Sequence, residues 1–496
     1  MAAPSPDPGS VRAVRELLLA AGYSTAGIAA IGIEVELGVR EPDIAILSRA
    51  LEGVEPLATL VRLFLLGEHV DTRALPGAVE RATADLAAAG LLVVDGSRIR
   101  PRVRLTPWRG LIVAHDPDPP GDLWDEHVSG PTPAADALLQ LVPADAAPGA
   151  RALDMGTGCG LLALAIEASV RGVVATDINP VALRYTALNA GLNGISTIET
   201  RAGSWFEPVE EESFGLIVAN PPFVISPESS LIFRHSPHSR DEASRDVVRS
   251  IAGHLQDGGY GYALVNWIQA PGRPWLDTIA GWLEGTGCDA VVLLHGIDDP
   301  LAYAVRWNVR EQQLRPDRYP ATLDRWLDHF RDESIAAIAT AGVVLRRRSM
   351  PNWRHGIELT GRGRGAAGPQ IRAIVAGQDF LQAHDAADDL LRTAFTMDTP
   401  HRLYQTLAFR DGEYVVEPAA LGLEEGLGIP VAVEPDLIQV ALRLDGSQTL
   451  AGIVQEVAEA TGADSVSLSN RSIELVRALL GQGFAAAGAG GRTGPA

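Results

Sequence analysis

Residues 153–160 read LDMGTGCG, and this stretch decides the fold of the chain. Segment 151–154 before it is a predicted strand, and segment 161–169 after it is typical of a helix. Glycines at alternate positions let the backbone turn tightly and approach a ligand without a Cβ in the way. A strand that ends where a helix begins forms the ligand crevice of an open α/β sheet. The stretch therefore predicts a ligand-binding loop at the carboxyl edge of such a sheet.

Strand-like and helix-like segments alternate from this loop onward. The alternation predicts a Rossmann-like, mostly parallel, seven-stranded α/β sheet with helices on both faces. The predicted strands are 151–154, 172–176, 197–201, 214–219, 259–266, 289–294 and 342–347, and the predicted helices between them include 161–169, 180–191 and 241–254.

The length of 496 residues predicts several domains, because a typical domain has about 100–200 residues. Residues 1–108 show helical periodicity followed by a hairpin pattern, which predicts a helical, winged-helix-like N-terminal domain. The sheet-forming domain is predicted at 109–360. After a flexible, glycine-rich linker at 361–369, we expect a smaller α+β domain at 370–484 and a disordered tail at 485–496.

The charge of the chain bears on its partners. The formal net charge of −21 disfavours non-specific binding to nucleic acid, which depends on neutralising phosphates. The net charge does not exclude a local basic groove. Segment 34–43 of the N-terminal domain is acidic. For this domain we therefore favour packing or dimerisation over recognition of nucleic acid or substrate.

Cysteine usage and hydropathy give further expectations. Cys159 and Cys288 are far apart and fit no metal-ligand spacing, so neither a disulfide framework nor a metal site is predicted. The chain has no apolar stretch long enough for a membrane-spanning helix, and its first residues lack the pattern of a secretory signal. A cytoplasmic location without a membrane partner is the resulting expectation.

An acidic residue, Asp177, ends the second predicted strand, about 20 residues after the first glycine of the loop. A carboxylate at this place can accept hydrogen bonds from both hydroxyls of a ribose. A dinucleotide fingerprint would need a glycine where Leu161 stands, and no Lys-Ser/Thr pair marks a phosphate-binding NTPase loop. The pattern therefore favours a smaller ligand that carries an amino-acid group.

The fourth predicted strand is followed directly by Asn220-Pro221-Pro222-Phe223. The two prolines remove two backbone donors and stiffen the turn. The side-chain oxygen of Asn220 and the carbonyl of Pro221 remain as acceptors, which suit the two N–H bonds of a planar NH₂ group. Phe223 offers a flat apolar face on which a base or an amide plane can lie.

These motifs together resemble those of the class I S-adenosylmethionine (SAM)-dependent methyltransferases, and in particular the small methyltransferases with an [ND]PP[YF] motif. That group includes the HemK/PrmC-like glutamine methyltransferases of release factors and the rRNA and tRNA base-amine methyltransferases. The resemblance covers roughly residues 130–350. It implies SAM as the cofactor and a grip on the target nitrogen by Asn220 and Pro221. The residues that it implies for SAM binding are Asp154, Gly156, Gly158, Gly160 and Asp177.

One position departs from the family pattern. The family has a G-D-x-F stretch whose Asp contacts adenine, and here Ser204 stands at that position. The resemblance therefore implies a weaker adenine contact at Ser204, or one supplied by other residues. Trp205 and Phe206 either pack on the adenine or belong to the core.

The predicted function is direct transfer of a methyl group from SAM to a planar NH₂ nitrogen, for which Asn220, Pro221 and Phe223 are the candidate catalytic residues. The acceptor is either a glutamine amide of a protein or peptide, or an exocyclic base amine of RNA. The alternative is a non-catalytic SAM-binding regulatory or scaffold protein, which the Ser204 substitution supports and the intact Asn220 motif opposes. Beyond this motif, the chain has a group of basic residues that either contact an anionic substrate or form an ordinary surface loop. The group consists of Arg234, His235, His238 and Arg240.

Overall fold

A computed structural model of the chain describes residues 7–33, 44–51, 56–117, 126–227, 241–349, 351–361, 363–416 and 419–488. The chain divides into two compact units, which we treat separately. The first unit comprises Met1–Leu139, Ala144–Gly287 and Ile297–Ser349, and the second comprises Gln140–Pro143, Cys288–Gly296 and Met350–Ala496.

The first unit begins with short helices and a small antiparallel sheet. Helix α1 begins at Pro8, where the Asp7 carboxylate accepts a hydrogen bond from the Ser10 amide (2.9 Å) and caps the helix. The three strands lie in the order β1-β3-β2, with β2 and β3 paired as a hairpin, and the winged-helix-like classification stays a prediction. The elements are α1 (Pro8–Ala20), α2 (Thr25–Ala30), α3 (Ile44–Ala50), α4 (Leu57–Leu60) with a π-helical turn (Val61–Leu66), β1 (Val70–Asp71), α5 (Gly77–Arg81), α6 (Thr83–Ala88), β2 (Leu92–Asp95) and β3 (Arg98–Pro101).

A second hairpin corrects the predicted domain boundary at 108/109. Strands β4 (Arg104–Trp108) and β5 (Leu111–His115) pair antiparallel, so the boundary would cut through their turn. Both turn residues, Arg109 and Gly110, have positive φ angles of 48° and 81°. Two-residue hairpins need this conformation, but Asn-Gly or Asp-Gly is its usual sequence signal. Because Arg109 occupies the position of the usual Asn or Asp, the sequence does not predict this turn.

Each of the seven strands that the sequence predicts from residue 151 onward is present. Strands β8, β7, β6, β9 and β10 pair in parallel in that order, and β12 runs antiparallel to β10. The mostly parallel α/β prediction is thus confirmed. The strands are β6 (Arg151–Met155), β7 (Gly172–Asp177), β8 (Ile198–Ala202), β9 (Phe214–Ala219), β10 (Leu255–Ile268), β11 (Cys288–Asp298) and β12 (Ile338–Arg347).

The helices of this part of the chain begin and end at recognisable signals. Helix α9, for example, is capped by the Asn179 side chain, has Pro180 in its first turn and ends at Gly194 in the left-handed conformation. The helices are α7 (Pro133–Leu141), α8 (Leu161–Ile166), α9 (Pro180–Asn193), α10 (Glu242–His254), α11 (Trp275–Trp282), α12 (Pro300–Trp307), α13 (Val309–Leu314) and α14 (Tyr319–Asp332).

Two asparagines of α9 satisfy the free edge of strand β5. The Asn189 side chain accepts from the Ala114 amide (2.7 Å) and donates to the Ala114 carbonyl (2.9 Å). One helical turn later, Asn193 makes the same pair of bonds with Ile112 (2.9 and 2.8 Å). The two side chains therefore take the place of a neighbouring strand and fix the hairpin on the helix.

The second unit is an α+β structure. Strand β13 (Arg354–Glu358) pairs in parallel with β11, and three small antiparallel sheets have the orders β20-β14-β21, β15-β18-β19 and β16-β17. Its elements are α15 (Gly368–Ala383), α16 (Ala387–Arg392), β14 (Ala394–Thr396), β15 (His401–Tyr404), β16 (Leu407–Arg410), β17 (Glu413–Val416), β18 (Ala419–Leu423), β19 (Val431–Val433), α17 (Ile438–Ala441), β20 (Asp445–Thr449), α18 (Leu450–Thr461), α19 (Ser465–Gly481) and β21 (Ala486–Ala487).

Two predictions about flexible segments of this unit are wrong in part. Within the predicted linker 361–369, Arg364 exchanges backbone hydrogen bonds with Gly426 (2.9 and 2.7 Å), so the segment is tied to the folded unit. The predicted disordered tail begins with strand β21, which pairs with β14 and thereby gains backbone partners. Residues 489–496 lie outside the described residues.

Candidate active site

The glycine loop is an open cradle at the end of β6. Gly156, Gly158 and Gly160 have φ angles of 71°, 56° and 83°, in the left-handed region that favours glycine. A Cβ built on Gly156 or Gly158 would meet no atom within 4 Å, whereas one on Gly160 would lie 3.0 Å from Thr186 on α9. The first two glycines therefore face open space, and the third packs closely against α9.

The Asp154 side chain holds this loop through hydrogen bonds. Its carboxylate is fully buried, and Oδ2 accepts hydrogen bonds from the Thr157 hydroxyl (2.7 Å) and the Ala163 amide (2.9 Å). Among the described residues, its Oδ1 has no hydrogen-bond partner. Burial raises the pKa of this carboxyl to about 7, and the nearby charge of Asp177 adds to the rise.

Asp177 lies beside the loop at the end of β7. Its Oδ2 accepts from the Gly158 amide (2.9 Å), and Oδ1 accepts from the Asn179 amide (2.8 Å). Burial raises the pKa of this carboxyl as well. Each carboxylate oxygen has further acceptor capacity, so Asp177 can bind two ribose hydroxyls while it holds the loop.

These features fit SAM, which combines a cationic amino-acid end with a ribose and an adenine. The unpaired Oδ1 of Asp154 matches a cationic group, the open glycines leave room for the ligand, and Asp177 matches the ribose. Ile178 was missed by the sequence analysis. Its side chain is 56 % exposed directly after Asp177, and an apolar residue at this point offers a surface for adenine.

The segment 203–206 follows β8, next to Asp177. Ser204 is half-buried and its amide donates to the Glu207 carboxylate (3.2 Å). Trp205 is half-buried with a φ of 49°, a strained value for a bulky residue. Phe206 is 7 % exposed and its ring lies 4.7 Å from that of His254, as expected for a core residue. Adenine contact thus stays a prediction for Ser204 and Trp205.

The signature loop, residues 220–225, begins directly after the fully buried strand β9. Asn220 is half-buried, and its side chain has no hydrogen-bond partner among the described residues. Pro221 is buried. Phe223 is 8 % exposed, less than a stacking surface would require, and its ring meets Trp307 edge-on at 5.9 Å.

Strand pairing brings the three motifs to one edge of the sheet. Met155 at the end of β6 pairs with Thr176 of β7 on one side and with Ala219 of β9 on the other. The next residues along these strands are Gly156 of the glycine loop, Asp177, and Asn220 of the signature loop. Neighbouring strands lie about 4.8 Å apart, so the three motifs adjoin.

The remaining candidates and expectations fall outside this arrangement. Arg234, His235, His238 and Arg240 lie outside the described residues. Where the structure describes the chain, no three metal-ligating side chains come together. In the same part of the chain, the helices are too short or too polar to traverse a bilayer.

Comparison with known families gives two matches. The family model for the methyltransferase small domain matches residues 131–260, and that for a domain of unknown function (DUF7059) matches residues 20–102. The release factor glutamine methyltransferase of Cereibacter sphaeroides is 33% identical over 182 residues, which are 34% of this chain and 62% of that protein. The protein of the same name from Aliivibrio fischeri is 38% identical over 98 residues, 19% of this chain and 34% of that protein. The chain thus spans less than two thirds of these curated relatives.

Solved structures give weaker similarities. A 16S rRNA methyltransferase from T. Thermophilus, in complex with AdoMet and guanosine, is 18% identical with a TM-score of 0.26, over 46% of this chain and 61% of that one. A methyltransferase from Pyrococcus furiosus is 15% identical with a TM-score of 0.29, over 49% and 91%. At these TM-scores the alignments carry no argument about activity.

The matched segment 131–260 begins before β6 and ends within β10. It therefore encloses the three motifs that strand pairing brings together. Residues 131–260 of this chain are thus similar to the methyltransferase small domain, and the site fits SAM as the cofactor.

Proposed function

We propose that the protein transfers the methyl group of SAM to the side-chain amide nitrogen of a glutamine in a protein acceptor. The observation that carries the proposal is the pairing of β6 with β9, which sets the glycine loop beside the signature loop. A methyl donor in the open cradle then faces an amide held by Asn220 and Pro221.

Direct displacement suits these residues. When bound, SAM supplies an electrophilic methyl group on a sulfonium. An amide nitrogen is a poor nucleophile because its lone pair is delocalised into the carbonyl. The Asn220 side-chain oxygen and the Pro221 carbonyl accept hydrogen bonds from its two N–H groups. These bonds stabilise the positive charge that builds on the nitrogen during the attack. The new N–C bond forms as the S–C bond breaks, and the nitrogen then releases one proton to water.

The acceptor class follows from the relatives and from charge. The curated relatives reported above are named release factor glutamine methyltransferases, which supports a glutamine of a protein as the acceptor. A cytoplasmic location is part of the proposal. A net charge of −21 opposes the alternative acceptor, a base amine in RNA. The intact signature loop and the named relatives weigh against a non-catalytic scaffold.

Radiolabelled methyl transfer tests the proposal. The full-length protein is incubated with tritiated SAM and either a bacterial release factor or total rRNA, and mass spectrometry locates the methyl group. We expect label on one glutamine of the protein acceptor. Label in RNA alone would move the acceptor to a base amine, and SAM binding without transfer to either would overturn the proposal.

A further inference from the structure

Helix α12 touches the signature loop at two points on one of its faces. The Tyr303 hydroxyl accepts a hydrogen bond from the Ile225 amide (3.1 Å), and both groups are buried. Four residues later, the Trp307 ring meets Phe223 edge-on at 5.9 Å. Residues four apart on a helix lie one above the other, so a single helix face contacts the loop twice.

The Tyr303 hydroxyl has a second partner on strand β10. The side-chain amide of Asn266, which is fully buried, donates to the hydroxyl oxygen at 2.6 Å. The Asn266 backbone amide in turn donates to the Ser244 hydroxyl (3.2 Å). One phenol oxygen thus accepts hydrogen bonds from the signature loop and from the strand beside it.

The Tyr303 ring is itself held in place. It is fully buried, and the rings of Trp326 and Phe330 on α14 lie 6.4 and 6.0 Å from it. At the start of α12, the Asp299 carboxylate caps the helix by accepting from the Ala302 amide (2.8 Å). Packing of the ring and capping of the helix therefore fix the position of the Tyr303 hydroxyl against the loop.

We propose that Tyr303 is a positioning residue for methyl transfer, which fixes the signature loop through Ile225 while Asn266 orients its hydroxyl. This inference rests on the proposed function. Asn220 and Pro221 can grip an amide in line with the methyl group only if the loop keeps its place, and a displacement of about 1 Å costs roughly 10²-fold in rate. The two prolines stiffen the loop near Asn220, and Tyr303 anchors its far end.

Tyr303→Phe tests the role of the hydroxyl because it keeps the ring. Hydrogen–deuterium exchange of the peptide 220–227 in the full-length protein should become at least about 10-fold faster, since the buried Ile225 amide loses its acceptor. The kcat for methyl transfer should fall about 10-fold or more, and the Kd for SAM should stay within about twofold, because Asp154, Asp177 and Asn189 hold the glycine loop in place.

Tyr23→Phe is the matched control. Tyr23 is also buried and donates its hydroxyl to the Leu105 carbonyl (2.8 Å), so both variants lose a buried hydrogen bond. The Tyr23→Phe variant should leave both the hydrogen–deuterium exchange of 220–227 and kcat unchanged. If Tyr303→Phe fails to fold, Asn266→Ala replaces it, with the same direction expected and a smaller size.

The outcomes separate the two proposals. Exchange of 220–227 and kcat that both stay at wild-type values in Tyr303→Phe would overturn the positioning role. A wild-type protein that methylates no acceptor would overturn the proposed function, and the exchange measurement would still decide whether Tyr303 holds the loop.

Discussion

At the scale of single residues, Gly158 has a backbone conformation that favours glycine and lies where we propose that SAM binds. Its φ of 56° is left-handed, and a Cβ there would point into open space. We expect Gly158→Ala to lower the free energy of unfolding by about 1–2 kcal/mol and to weaken SAM binding at least about 10-fold. Urea titration and calorimetry measure the two effects.

Gly149 provides the control for this variant. Its φ is 78°, and a Cβ there would also meet nothing within 4 Å, but it lies before β6, away from the carboxyl edge. Gly149→Ala should therefore lose the same stability and bind SAM normally. Equal SAM affinity in the two variants would contradict the assignment of the cradle.

Asp154 gives the site a pH dependence. Its pKa in the fold, about 7, is above the ordinary value of 3.8, so the carboxyl binds a proton more tightly when folded than when unfolded. Its contribution to stability is fully present below pH 3.8 and is lost as the pH rises through about 7. Relative to Asp154→Asn, the ligand-free protein should thus become less stable between about pH 4 and 7, as thermal melts at several pH values can show.

The same carboxyl should link SAM binding to pH. A cationic ligand favours the ionised carboxylate, so SAM affinity should rise from pH 5.5 to about 7.5 and then level off, with release of up to one proton. Calorimetry in buffers of different ionisation enthalpy counts that proton. A flat profile in wild type, or the same slope in Asp154→Asn, would contradict this role.

Asn220 carries the acceptor side of the proposed reaction. Asn220→Ala removes one of the two fixed acceptors for the NH₂ group, and we expect kcat to fall about 10²–10³-fold. The Kd for SAM should not change, because the Asn220 side chain makes no hydrogen bond to the glycine loop among the residues that the structure describes. An unchanged kcat, measured by tritium transfer, would remove Asn220 from the mechanism.

At the scale of elements, the attachment of the β4–β5 hairpin to α9 depends on Asn189. This fully buried side chain holds both backbone groups of Ala114 and also donates to the Cys159 carbonyl in the glycine loop (2.8 Å). Asn189→Ala leaves these groups buried without partners, so it should cost about 3 kcal/mol of unfolding free energy. Asn193→Ala, at a half-buried position where water can substitute, should cost clearly less in the same urea titration.

Some of these elements could be predicted from the sequence and others could not. The strands and the glycine loop were predictable because apolar runs, glycine spacing and strand-end carboxylates are local signals. The Arg109-Gly110 turn was missed because Arg is an unusual residue at positive φ. Tyr303 could not be found in this way, because its partner Ile225 is 78 residues away and only tertiary packing joins them.

At the scale of the whole molecule, the negative charge of the chain favours the proposed protein acceptor over RNA. With a net charge of −21, the protein should bind RNA weakly, since few phosphates can be neutralised. Excess rRNA should therefore leave methylation of a protein acceptor unchanged at physiological salt. Strong competition by rRNA in the tritium assay would point instead to a local basic groove.

The proposed reaction depends most on the meeting of methyl donor and acceptor at the ends of β6 and β9. A crystal structure of the protein with SAM and a glutamine-containing peptide measures this directly. We expect SAM over Gly156 and Gly158, with its methyl carbon about 3–3.5 Å from an amide nitrogen held by Asn220 and Pro221. SAM bound elsewhere, or in the cradle with its methyl group turned away from Asn220, would contradict the proposed reaction.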